Sequence, residues 1–155
     1  MIGVNGMRIT RLYEDAVLPT RKNPTDAGLD LYAYGSWIVS PNHSEIVSTG
    51  IAIEIPLGYF GLLKPKSRSD YLVGAGVVDQ NYRGEILVKV VNYKTINLFI
   101  NKGTAIAQLL IIPIFIPDLE EVDSDEFDFK TDRGIDGGIA RQLKTATFIS
   151  KIGDN

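Results

Sequence analysis

The segment Val73-Gly74-Ala75-Gly76-Val77-Val78-Asp79-Gln80-Asn81-Tyr82-Arg83-Gly84-Glu85 holds the most chemically suggestive grouping in the chain. Two glycines ahead of a β-branched pair let a backbone turn tightly and come close to a flat ligand. Asp79 follows that hairpin directly, and a carboxylate on a rigid corner can orient and deprotonate a water. The same pattern equally fits an Asx-turn at Asp79 and a packed aromatic at Tyr82. A second grouping, Lys64-Pro65-Lys66-Ser67-Arg68-Ser69-Asp70, mixes cationic and hydroxyl donors. That mixture suits a polyanion such as phosphate, and would also suit an exposed loop. Asp26-Ala27-Gly28-Leu29-Asp30-Leu31 reads as a turn entering a strand, with Asp30 at an exposed strand position. In Gly103-Thr104-Ala105-Ile106-Ala107-Gln108-Leu109 a polar residue interrupts an apolar strand. A buried amide must be hydrogen-bonded, so Gln108 either satisfies nearby backbone or meets a polar ligand.

The elements that must carry these residues read mostly as strands. Ile51 to Ile55 alternates and stops at Pro56, and Ile86 to Val91 is rich in β-branched residues and stops at Asn92. Ile96 to Ile100 and Ala107 to Ile112 follow at short intervals, with Asn101-Lys102-Gly103 as a turn between them. Further turn signals stand at Ser40-Pro41-Asn42, Leu57-Gly58 and Asn81 to Gly84. No helical periodicity emerges before residue 138, so the expected class is all-β: a sandwich, jelly roll or small barrel. The acidic run Glu120 to Glu126 reads as a solvated loop. Ile139, Leu143 and Ala146 recur at helix spacing and permit a short C-terminal helix or flexible arm.

Composition narrows the chemistry. The chain has 155 residues, 16 Lys+Arg against 19 Asp+Glu, one His and no Cys. One domain with its own core is expected at that length. Without cysteine there are no disulfides, thiolate zinc sites or thiol nucleophile, and His43 alone cannot build a multi-histidine metal site. A net charge of −3 gives no footprint for nucleic acid. The apolar stretch from Ala105 to Pro117 is too short and interrupted to span a bilayer, and the N-terminus lacks the features of a secretion signal. A soluble protein of the cytoplasm, or of a host-cell interior if viral, is the expectation.

The order and spacing of the four groupings resemble the trimeric dUTPase family over roughly residues 8 to 138. Gly76-Val77-Val78-Asp79-Gln80-Asn81-Tyr82-Arg83-Gly84-Glu85 is similar to the family signature G-V-I-D-x-x-Y-R-G-E. Asp26-Ala27-Gly28-Leu29-Asp30-Leu31 matches D-A-G-x-D-L, while Gly103 with Ile106-Ala107-Gln108-Leu109 fits G-D-R-I-A-Q-L. The resemblance implies a jelly-roll β domain over residues 1–138, a divergent tail over 139–155, a homotrimer, and active sites shared between chains. It also implies cleavage of dUTP to dUMP and pyrophosphate by water attack at the α-phosphorus, assisted by Mg2+. In that scheme Asp79 activates the water, Tyr82 lies against the deoxyribose and leaves no room for a 2′-hydroxyl, and the backbone from Val73 through Gly76 to Val78 reads uracil. Lys66 and Ser67 would take the phosphates with Gln108 in support, and Asp30 would sit near the water shell of a magnesium held chiefly by phosphates.

Two departures stand against the family pattern. Its second motif reads P-R-S-G/S; Pro65-Lys66-Ser67 fits with lysine for arginine, leaving only Arg68 to Leu72 before Val73. The alternative register on Arg68-Ser69 deepens that shortening, so the Lys66-Ser67 register is preferred. Lysine lacks the planar fork that binds two phosphate oxygens, which Arg68 would have to supply. The fifth motif starts correctly at Arg133-Gly134-Ile135-Asp136-Gly137-Gly138 and then diverges, with Gly138 where the family has the aromatic that covers uracil. Losing such a stacking partner costs about 1–3 kcal/mol. Arg133 would still reach the γ-phosphate, and Phe148 is the tail's candidate cover. The alternative reading is a catalytically weakened nucleotide- or protein-binding module of the same fold. The sister reaction, dCTP deamination, would need a glutamate base where the chain has Lys89, and a cation cannot accept the proton.

Overall fold

A computed structural model describes residues 6–128 and 130 of the chain. Ten strands are assigned: β1 (Arg8–Arg11), β2 (Leu29–Tyr32), β3 (Trp37–Val39), β4 (Ser44–Glu54), β5 (Tyr59–Lys64), β6 (Leu72–Gly74), β7 (Val77–Val78), β8 (Glu85–Val91), β9 (Leu98–Ile100) and β10 (Ala105–Pro113). No helix occurs among the described residues, so none there is long and apolar enough to cross a membrane.

Two four-stranded antiparallel sheets, ordered β1-β4-β8-β6 and β2-β10-β5-β7, share one core, with β3 and β9 forming a smaller pair. This is the all-β, jelly-roll architecture expected from the sequence. Period-two patterning explains the packing: in β8 Ile86, Val88 and Val90 point inward while Leu87 and Lys89 face out. The opposite sheet contributes Leu31, Leu63, Ile106 and Leu109 to the same interior. The one fully buried amide, among the described residues, is Asn92, whose Nδ2 donates to the carbonyls of Val39, Ser40 and Ile96 and ties β8 to the β3–β9 pair.

The expected turns fall between strands, and Asn42, Gly58 and Gly103 adopt positive φ there. His43 sits in the first of them, its Nδ1 2.8 Å from the Pro41 carbonyl.

The chain forms two compact units, Met1–Ile116 and Pro117–Asn155. The first holds all ten strands. In the second, the acidic run is exposed, and a turn there is closed by the Glu126 N–H donating to the Asp123 carbonyl at 3.0 Å. Arg133, the rest of the fifth motif, the expected boundary at 138 and the tail with Phe148 lie outside the described residues.

Candidate active site

The sequence pattern predicts a hairpin over Val73 to Val78, and here the structure differs. β6 pairs with β8 through Leu72–Val91, Val73–Val90 and Gly74–Lys89, whereas β7 pairs with β5 through Val77–Leu62 and Val78–Gly61. The segment therefore leaves one sheet and enters the other, and its two halves are edge strands that do not pair with each other. Ladder partners outside the segment outcompete local closure. The crossing turns at Ala75, held at φ 49°, a left-handed conformation that costs a non-glycine residue about 1–2 kcal/mol. An edge strand keeps one row of N–H and C=O groups unpaired, so each half offers backbone donors and acceptors to a flat polar ring.

Gly76 makes the crossing possible. Its carbonyl accepts the Leu63 N–H at 2.6 Å, and a Cβ on Gly76 would lie 2.5 Å from the Leu63 carbonyl oxygen. Backbone cannot yield as a side chain can, so Gly76→Ala is expected to cost about 1–3 kcal/mol. A thermal melt checks it; an unchanged Tm would show the approach to be dispensable.

Asp79 comes immediately after β7 and opens a turn closed by the Tyr82 N–H donating to the Asp79 carbonyl at 3.0 Å. The bond is main chain to main chain, so the turn leaves the carboxylate unused. Among the described residues that carboxylate has no hydrogen-bond or ion-pair partner. Neighbouring groups hold the corner from outside. Gln80 Oε1 accepts the Gly58 N–H at 2.9 Å, and Arg83 donates to the carbonyls of Gln80 and Tyr82, both at 2.8 Å. Arg83 also faces Glu54, whose carboxyl the adjacent Arg8 guanidinium holds below its ordinary value. The Tyr82 hydroxyl donates to the Glu85 carbonyl at 2.9 Å, folding the ring over Gly84, where a Cβ would meet it at 2.5 Å. Asp79, Tyr82, Ala75, Val77, Val78 and Glu85 line a pocket of about 180 Å³, together with Leu63, Ile86 and Leu87.

A second cluster gathers the other three groupings. In register, Gln108 of β10 stands between Asp30 of β2 and Lys64 of β5. Lys66 Nζ pairs with Asp30 Oδ2, making Asp30 a partly buried ion-pair member rather than the exposed strand position expected. Gln108 Nε2 donates to the Pro65 carbonyl at 3.0 Å, so the amide ties down the cationic loop. Its Oε1 lies 2.4 Å from where a Gly28 Cβ would stand, so Gly28 leaves room for Gln108. Asp26 accepts the Asn23 backbone N–H at 2.9 Å, and that bond, with the Asn23 side chain, holds its carboxyl below the ordinary value. Ser67 and Arg68 are exposed on a turn in which the Ser69 N–H donates to the Lys66 carbonyl at 2.9 Å.

The structure thus brings Val78, Asp79 and Tyr82 together in one pocket, leaves Val73 and Gly76 on the adjoining crossing outside its lining, and gathers Asp30, Lys66 and Gln108 at the other cluster. None of the latter three lines the Asp79 pocket. Sequence reasoning gave no role to Glu85, Gln80 or Arg83. Their bonds run to β4 and its following turn, and no local pattern announces such partners. Among the described residues no three His, Asp or Glu side chains converge to hold a metal.

The dUTPase family model matches residues 14–138. The chain is 38% identical over 141 residues to the deoxyuridine 5′-triphosphate nucleotidohydrolase of Corynebacterium glutamicum, covering 86% of this chain and 95% of that one. It is 35% identical over 140 residues to the enzyme of the same name from fowlpox virus, covering 88% and 97%. Among solved structures, the Staphylococcus bacteriophage 80alpha dUTPase with dUPNHPP superposes with a TM-score of 0.79 at 26% identity, covering 88% of this chain and 98% of that one.

Proposed function

Because the chain belongs to the dUTPase family and hydrolyses dUTP, we propose that Asp79 is the group that holds and deprotonates the attacking water. The water oxygen bonds to the α-phosphorus as its proton passes to Asp79. The bond from the α-phosphorus to the α–β bridging oxygen breaks, and that oxygen leaves with its electron pair on pyrophosphate, giving dUMP. The observation carrying this assignment is an exposed carboxylate in the pocket with no partner among the described residues, on a corner whose main chain is held beside the sheet crossing. Uracil is assigned to the unpaired edges of Val73–Gly74 and Val77–Val78, whose alternating donors and acceptors discriminate against cytosine. Tyr82 is assigned to the deoxyribose face, where its ring leaves no space for a 2′-hydroxyl.

Lys66, Ser67 and Arg68 are assigned to the phosphates, on a loop braced by Gln108, with Arg133 as a further cation for the γ-phosphate. A single chain keeps this cluster out of the Asp79 pocket. We therefore place the complete site between subunits of a homotrimer, with the pocket of one chain facing the cluster of another. Among the described residues the donor set offers no resident metal cage, and Asp30 is already engaged by Lys66. Mg2+ is accordingly assigned to the substrate as its phosphate complex, with Asp30 no nearer than its water shell. We assign the β domain to residues 1–138 and 139–155 to a tail, and the compartment to the cytoplasm, in keeping with a cysteine-free chain. No observation favours the binding-module alternative.

The test is pyrophosphate release from dUTP, dCTP, dTTP and UTP in the presence of Mg2+. Turnover of dUTP well ahead of the other three is expected, and equal turnover of dCTP would remove the assignment of the base-reading edges.

A further inference from the structure

Glu85 joins the Tyr82 ring to an irregularity in β4 on the neighbouring strand. Between the pairs Ser48–Leu87 and Ala52–Glu85, three residues of β4 (Thr49, Gly50 and Ile51) stand against the single Ile86 of β8. Such a bulge strips ladder groups of their main-chain partners. Side chains take two of them. Thr49 Oγ1 donates to the Ile86 carbonyl at 2.5 Å, and Glu85 Oε1 accepts the Gly50 N–H at 2.7 Å as well as the Ser48 hydroxyl. Gly50 is at φ 69°, and a Cβ there would lie 2.8 Å from the Ala16 Cβ, so the bulge is built for glycine and for the acceptor facing it. Glu85 also accepts the Tyr82 hydroxyl on its main-chain carbonyl. One residue therefore clamps the bulge with its side chain and the Tyr82 ring with its backbone.

We propose that Glu85 is a positioning residue for sugar selection: by locking its backbone onto the β4 bulge it holds the Tyr82 ring where a ribose 2′-hydroxyl collides. The inference rests on the assignment of Tyr82 to the deoxyribose. Its prediction concerns preference between two sugars, which a residue serving stability alone would leave unmoved.

The experiment measures kcat/KM for dUTP and UTP in the wild type and in Glu85→Ala, Glu85→Gln and Ser48→Ala, with folding followed by circular dichroism. Alanine removes the acceptor of two hydrogen bonds, and the dUTP:UTP ratio is expected to fall about 10-fold or more. Glutamine retains an oxygen for both donors and should restore most of the ratio. A folded Glu85→Ala enzyme with an unchanged ratio overturns the proposal, as does Glu85→Gln falling as far as alanine. If Glu85→Ala does not fold, the half-buried Ser48→Ala decides: a fall of about threefold supports the clamp, and an unchanged ratio overturns it. Failure of the parent reading is separately visible, since a wild-type protein that turns over dUTP and UTP equally would remove Tyr82 from the sugar and this inference with it.

Discussion

Asp79→Asn is expected to lower kcat for dUTP hydrolysis by about 10²–10⁴-fold, the usual contribution of a positioned general base. Asparagine matches aspartate in shape and can still hold a water through its carbonyl oxygen, but it cannot accept the proton that must leave as the new bond forms. The corner itself should survive, because its bonds run through the Asp79 carbonyl, Gln80 and Arg83 and not through the Asp79 carboxylate. KM should therefore change far less than kcat, the pattern of an interaction made chiefly in the transition state. Pyrophosphate release at saturating dUTP, with a melt to verify folding, reads the result. Equal rates in variant and wild type would end the assignment of Asp79.

Mixing two inactive variants should restore activity. A Lys66→Ala/Arg68→Ala chain lacks the cations assigned to the phosphates, and each charge-assisted contact is worth about 1.5–3 kcal/mol, so it should be slowed by roughly 10²-fold or more. An Asp79→Asn chain lacks the carboxylate assigned as the base. If each site draws its pocket and its cationic cluster from different subunits, random 1:1 assembly by co-expression makes roughly a quarter of all sites intact, and activity returns to about that share of wild type. Were both halves supplied by one chain, the mixture would stay as slow as its components. That result would end the shared-site assembly while leaving the role of Asp79 untouched.

Features of the fold that depend on neighbours in sequence are legible in the chain. The alternation of Ile86, Val88 and Val90 and the turns at Gly58 and Gly103 are properties of a few adjacent residues, and β8 and β10 stand where such patterns place them, while β4 begins at Ser44, seven residues ahead of the expected Ile51. β1 has no signal in the sequence, because Arg8 to Arg11 is exposed throughout and carries no apolar stripe. The sequence predicts a hairpin at Ala75 because turn propensity is local, while the choice of β8 for one half and β5 for the other is not. Asp30, Lys66 and Gln108 were each singled out, yet their meeting depends on β10 lying between β2 and β5, a register no single segment specifies. Glu85 was visible as a motif letter only; its purpose is written in the spacing of β4, far away in sequence.

The handover of residues 72–78 from one sheet to the other has a consequence for how such a chain can evolve. The Asp79 pocket is walled by Leu63, Val77 and Val78 of one sheet and by Glu85, Ile86 and Leu87 of the other, so it works as a calliper, reporting how far apart the layers stand. Val78 and Leu63, buried beneath it, act as its shims. Trimming either would slacken discrimination among bases well before the sandwich came apart, so interior drift and ligand choice in this lineage are constrained together.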